Sequence, residues 1–313
     1  MNGGAGLRFL SLVGRHASLV LLVGMGVVAL LPGVSALLRP ALPALVSLVL
    51  GLAIARLDMG AVLRDIVDPK KGARLLVLVF LFLPLTALLL VLLARLAGAG
   101  QGIVLLVLVF GAAPPISSAA SLSLLLGYDA RTTLQVSLLA TILAPFLGPM
   151  CFALASVDAD VDLFGMSIRI AAMIAGGFAI GLGLQRVIGK EMIGAHAMAF
   201  NGAVALSMLL FLFPLLDGVS ANVVAAPLQS VGLLVLALCL NFGGNLLVRR
   251  IAWPMSGPAT AEALGLMFGN RNVSFYLAVL PFNPMLSVFV AAAQIPIYAT
   301  PALFRARWAR PGK

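Results

Sequence analysis

Within the apolar stretch Ala263–Leu280, the run Phe268-Gly269-Asn270-Arg271-Asn272 places a single cation among side chains that cannot solvate it. A cation at the centre of a bilayer helix costs about 3 kcal/mol on insertion scales. Gly and Asn are poor helix formers, so the sequence predicts a helix that breaks where the charge lies. A broken membrane helix lines a polar cavity, because irregular backbone is tolerated only away from lipid. The chemistry on offer is anion binding: Arg271 as a charge-assisted donor, with Asn270 and Asn272 orienting the ligand. The competing reading makes Arg271 a structural cation held by backbone carbonyls at the break.

A second such place is Gly111-Ala112-Ala113-Pro114-Pro115-Ile116-Ser117-Ser118. Adjacent prolines forfeit two backbone donors, and Ser117 and Ser118 bring hydroxyls to the same point. Pro115, Ser117 and Ser118 therefore join Asn270, Arg271 and Asn272 as candidate substrate-binding residues. A simple kink is the plainer alternative for the prolines. Interhelical contacts worth roughly 1 kcal/mol each are the alternative for the asparagines.

The elements that must position these residues are membrane helices. The 313-residue chain is 62% hydrophobic and 10% charged, with a mean hydropathy of +1.16, where soluble domains carry about 25% charge. Apolar runs of about twenty residues recur along its length, enough to cross a hydrocarbon core of about 30 Å. Ten spans are expected, near 17–38, 41–56, 73–97, 101–126, 131–154, 165–187, 196–217, 225–248, 259–281 and 284–304, in one membrane domain covering 1–313. The first run exceeds a signal-peptide core and should remain as an anchor.

The net charge of +10 comes from basic residues between spans, which is a topology signal and not a nucleic-acid surface. With the N-terminus inside, sixteen cations fall on the cytoplasmic side, Lys70, Lys71, Arg131, Arg186 and Lys190 among them. Only Arg39, Arg95 and Arg169 fall opposite. Both termini are expected in the cytoplasm, and Asp158, Asp160 and Asp162 in a solvated outer loop. The Arg excess over Lys, 16 to 4, points to a GC-rich bacterial genome and hence to a bacterial inner membrane.

Smaller signals read as architecture. Cys151 and Cys239 lack metal or disulfide spacing and read as core fillers. Gly176, Gly177, Gly181 and Gly183 suit close helix approach. Asn241 and Asn245, four apart, share a packing face. Thr133, Gln135, Ser137 and Thr141 make one polar face, with packing and cavity lining equally open. Asp217, at a span end, reads as solvated. No intramembrane His or nucleophile–base pair supports an enzyme, and no cofactor is expected.

The halves 17–154 and 165–304 correspond: each has a fourth-span break (Pro114–Ser118; Gly269–Asn272) followed by a Pro-bearing span. Five spans per half makes the repeats inverted, the pattern that flags a central transport site. With Gly127-Tyr128-Asp129, Ala144-Pro145 and Leu277-Ala278, these features resemble the bile acid:sodium symporter family, within the bile/arsenite/riboflavin transporter superfamily. The resemblance implies an all-α membrane fold of ten helices in two inverted five-helix repeats. It also implies core and panel domains, with helices four and nine broken and crossing.

The resemblance further implies sodium as coupling ion, with Thr133 and Ser137 in its shell. Ala119-Ala120 and Met267 occupy positions where the family carries oxygen ligands. Hard cations need oxygen, so proton-coupled or uncoupled carriage stands beside sodium symport. The arsenite branch shares the Gly269–Asn272 pattern, but its fourth-helix cysteine is missing here. The expected function is secondary transport of a small or amphipathic organic anion by alternating access. A channel or non-transporting sensor is the other-class alternative.

Overall fold

A computed structural model of the chain describes residues 3–157 and 161–308. Asp158 and Asp160 of the expected outer loop, and the C-terminal Arg310 and Lys313, lie outside the described residues. Helix is the regular structure throughout, as a chain in hydrocarbon requires, since each backbone N–H and C=O must be satisfied within its own segment. In chain order the helices are α1 (Gly3–Arg15), α2 (Ala17–Ala29), α3 (Pro32–Ile54), α4 (Met59–Val67), α5 (Pro69–Leu96), α6 (Gln101–Ala112), α7 (Ala119–Leu126) and α8 (Ala130–Ala155). They continue as α9 (Leu163–Val187), α10 (Lys190–Ala195), α11 (Ala197–Leu215), α12 (Val219–Ala225), α13 (Pro227–Ser256), α14 (Pro258–Gly269), α15 (Ser274–Leu277) and α16 (Pro284–Trp308).

Six of these, α3, α5, α8, α9, α11 and α13, are each long and apolar enough to cross a membrane. The expected spans 101–126 and 259–281 are each in two pieces, α6/α7 and α14/α15, because both stop at the predicted breaks. One boundary differs from expectation. The chain turns at Leu30-Leu31, and it passes Arg39-Pro40 as a single 3-10 turn inside α3. Pro40 has no N–H to give the regular α-helical ladder, and the chain tightens to the 3-10 pattern there.

The described residues form two compact units. The first takes its residues from Met1–Leu57, Ala172–Pro227 and Phe282–Val288; the second takes Asp58–Ala171, Leu228–Pro281 and Phe289–Lys313. Each unit thus draws one long stretch from each half of the sequence.

In the first unit α3 lies against α9 through glycines. A Cβ on Gly177 would meet the Leu50 side chain at 2.7 Å, and one on Gly181 would meet the Gly51 carbonyl at 2.8 Å. Gly183, grouped with them in the sequence, faces open space. Gln185 donates to the Ile54, Ala55 and Leu57 carbonyls at 3.0–3.2 Å, capping the end of α3. Asp217 is paired with Arg39 at 2.8 Å, and Arg39 stacks 4.1 Å over Phe282, so the sequence reading of Asp217 as solvated is corrected. The pair gives Arg39 a partner next to the Pro40 turn.

In the second unit α13 and α14 approach along Gly265 and Gly269. A Cβ on Gly265 would lie 2.6 Å from the Asn245 carbonyl. Asn241 and Asn245 are buried on that seam, as their spacing predicted. Cys151 is a buried core filler, whereas Cys239 is exposed on the π-turn Cys239–Gly243 of α13, which corrects its reading as core. Asp162 accepts from the Gly165 amide at 2.9 Å and opens α9.

Candidate functional site

The two breaks meet. Beyond Ala112 the chain goes extended at Ala113, and beyond Gly269 it leaves the helix at Asn270. There the strands exchange two hydrogen bonds, Ile116 N–H to the Asn270 carbonyl (2.9 Å) and Asn272 N–H to the Pro114 carbonyl (2.8 Å). They form an isolated antiparallel bridge between Pro115 and Arg271. Residues 115 and 271 are the non-hydrogen-bonded pair of this bridge, so the N–H that Pro115 lacks is one the ladder would not use. The prolines prevent α6 from continuing and leave the crossing intact.

Arg271 is 1% exposed and is held by carbonyls. Its Nε donates to Phe268 (3.0 Å), Nη1 to Ala113 (2.9 Å) and Nη2 to Phe82 (2.8 Å). Phe82 belongs to the π-turn Leu81–Leu85 of α5, whose Pro84 disturbs the regular ladder; the Thr86 hydroxyl donates to the same carbonyl. The Phe268 and Phe82 rings flank the guanidinium at 5.1 and 5.5 Å. One planar cation thus satisfies carbonyls at the end of α6, near the end of α14 and at the turn in α5. These are carbonyl-rich, dipole-negative places, where a cation is favoured. The geometry is that of the competing structural reading of Arg271, with three of its nitrogens engaged inside the protein.

Asn270 is also enclosed. Its Nδ2 donates to the Leu266 carbonyl (3.1 Å), and its Oδ1 accepts from Asn241 (3.2 Å) and Thr300 (3.4 Å). Asn241 Nδ2 additionally reaches the Gly269 carbonyl, the last of α14. Tyr276 on α15 donates its hydroxyl to the Ala112 carbonyl at 3.0 Å. The accessible polar groups at the crossing belong to other residues: Ser118 is exposed, Ser117 and Asn272 half-buried, and Asn272 Oδ1 accepts from the Ser274 hydroxyl. Pro115 is buried at the bridge. Asn270 and Arg271 therefore build the crossing, while Ser117, Ser118 and Asn272 line its open side.

The residues assigned to an ion shell by resemblance fall in different settings. Thr133 shares a hydrogen bond with Ser123 (2.8 Å) and donates to the Asp129 carbonyl (2.9 Å). The Ser137 hydroxyl is buried with no hydrogen-bond partner among the described residues, and Met267 is wholly enclosed on α14. Ala119 is buried and brings no side-chain oxygen. Glu262 is 2% exposed and lies 3.1 Å from Arg249. Among the described residues no three His, Cys, Asp or Glu side chains gather as a metal cluster.

Two charge centres escaped the sequence reading. Asp65, on α4 between spans, accepts from Lys71 (2.8 Å), Arg131 Nε (3.0 Å) and Gln135. Hydrogen bonds from Lys71 and then Arg131 hold its carboxyl well below the usual range, at about 2. Asp129 accepts from the Thr132 amide (3.0 Å), the Thr132 hydroxyl (2.6 Å) and the Thr260 hydroxyl (3.0 Å), tying the start of α8 to the start of α14. Burial pushes the Asp129 carboxyl up, but these donors outweigh it and the net shift is downward. Pro84 with Thr86 was the available signal for the α5 turn. Nothing in the sequence paired Asp65 with Arg131.

The chain matches no protein-family model and no curated protein sequence. What is established is an all-helical chain carrying several helices fit to cross a membrane.

Proposed function

We propose that the protein is a secondary transporter of a small or amphipathic organic anion, working by alternating access, with its site at the Pro115–Arg271 crossing. The single observation that carries this reading is the crossing itself: two broken apolar helices hydrogen-bonded at their breaks, with Ser117, Ser118 and Asn272 accessible beside a buried cation. Breaking two membrane helices at one point costs backbone hydrogen bonds, and carriers use such points to bind ligands. In this reading the amides at the start of α7 and the hydroxyls of Ser117 and Ser118 face the anion. Arg271 supplies charge through the field and fixes the crossing without needing to touch the ligand.

Two further observations support the ten-span, inverted-repeat architecture and the family resemblance. Each compact unit combines equivalent stretches of the two halves, as a panel and a core would. The π-turns also fall in equivalent spans, the expected third and eighth, and each reaches the crossing: Phe82 through Arg271, Asn241 through Gly269 and Asn270. Sodium coupling has weaker support, since Ala119 and Met267 offer no side-chain oxygen; proton-coupled or uncoupled carriage fits the same site.

The test is uptake of labelled organic carboxylates and sulfonates into proteoliposomes, with and without a sodium gradient at fixed pH. Saturable uptake with counterflow is expected, weakened in Ser117→Ala and Asn272→Ala. Non-saturable flux would identify a channel, and binding without translocation a sensor. Either outcome replaces the carrier reading.

A further inference from the structure

The first unit contains a cavity of about 330 Å³ that takes no part in the crossing. Its wall is built from α1 (Leu10), the last turn of α3 (Leu52), the end of α9 (Leu184), α10 (Ile193) and the start of α11 (Phe200, Ala203). His196 is its one polar wall residue. The volume lies at the low end of small-molecule pockets, about 300–1,000 Å³. Three membrane-length helices begin or end here, so the cavity sits where a bilayer changes from hydrocarbon to headgroups.

A cation lies against that wall. The Arg56 guanidinium lies 4.8 Å over the ring of the wall residue Phe200 and donates to Asn201. Arg186 and Lys190 are exposed around the junction of α9 and α10, with Glu191 the acid in the same segment. An apolar chamber with a cation at its wall matches an acyl chain bearing an anionic head.

We propose that this cavity holds one acyl chain of an anionic membrane phospholipid, its phosphate resting against Arg56. The inference is independent of the transport reading, because it uses neither the crossing nor any translocation.

It is tested by native mass spectrometry of the full chain in detergent, titrated with dioleoyl phosphatidylglycerol, dioleoyl phosphatidylcholine or oleate. One phosphatidylglycerol per chain is expected to be retained, about fivefold more tightly than phosphatidylcholine for one cation at the wall. Ala203→Phe, which fills the chamber, should abolish that adduct. Arg56→Gln, on the surface, should erase the preference for phosphatidylglycerol while keeping the unfolding midpoint in lipid-free detergent. A graded ladder of adducts unchanged in both variants would overturn the proposal, as would equal retention of the two phospholipids. Tighter retention of oleate than of phosphatidylglycerol would also overturn it, by making this a fatty-acid site.

Discussion

Arg271 concentrates the energetics of the crossing in one side chain. Its three carbonyl partners belong to three different helical segments, and of these Phe82 keeps a second donor in the Thr86 hydroxyl. Arg271→Gln should therefore cost about 3 kcal/mol of stability, the scale of leaving buried carbonyls unpaired. Arg271→Lys should recover little of it, because an ammonium cannot span a planar fork. Unfolding in mixed micelles checks both; a lysine variant as stable as the parent would mean that charge alone suffices. Asp65 gives a pH signature. Its folded carboxyl sits at about 2, below the usual value of about 3.9 for an unfolded chain. A depressed carboxyl stabilises above the unfolded value and loses that contribution as pH falls through the folded one. The melting advantage of the parent over Asp65→Asn should be full at neutral pH, shrink below about pH 4 and close near pH 2.

Glycine seams set how closely the helices approach. Gly265→Ala puts a methyl 2.6 Å from the Asn245 carbonyl, a backbone atom that cannot rotate away. Overpacking of this kind costs about 1–3 kcal/mol, and the crossing should loosen with it, since Asn241 and Asn270 are anchored on the same seam. Gly183→Ala is the control: with nothing within 4 Å of the new Cβ, its melting point should match or slightly exceed the parent. Equal effects of the two substitutions would show that the seam is not tight in the bilayer. The same elements show why the breaks lie where they do. Pro115 falls on the bridge position that needs no donor, and Ala112 and Ala113, whose carbonyls face the gap, are answered by Tyr276 and Arg271.

For the whole molecule, the distribution of charge predicts sidedness. With Cys151 and Cys239 replaced by serine, Lys190→Cys should react with an impermeant thiol reagent only after the cells are lysed, and Ala99→Cys in intact cells. The reverse pattern would invert the expected orientation and the positive-inside assignment with it.

The chain by itself determined its class, because hydrophobic runs of this length and number have no other solvent than a bilayer, and it located both breaks, because Pro-Pro and Gly-Asn-Arg-Asn cannot continue a helix. The seam glycines Gly177 and Gly181 and the packing pair Asn241 and Asn245 were legible for a similar reason: local spacing fixes which residues share a face. Only tertiary structure decided what the breaks do to each other. The bridge between Pro115 and Arg271, the reach of Arg271 to Phe82 and the pairing of Asp65 with Arg131 join residues 66 to 189 positions apart. No local periodicity encodes such pairs. They are set by which helix ends meet when apolar surfaces are packed and each buried polar group must find a partner.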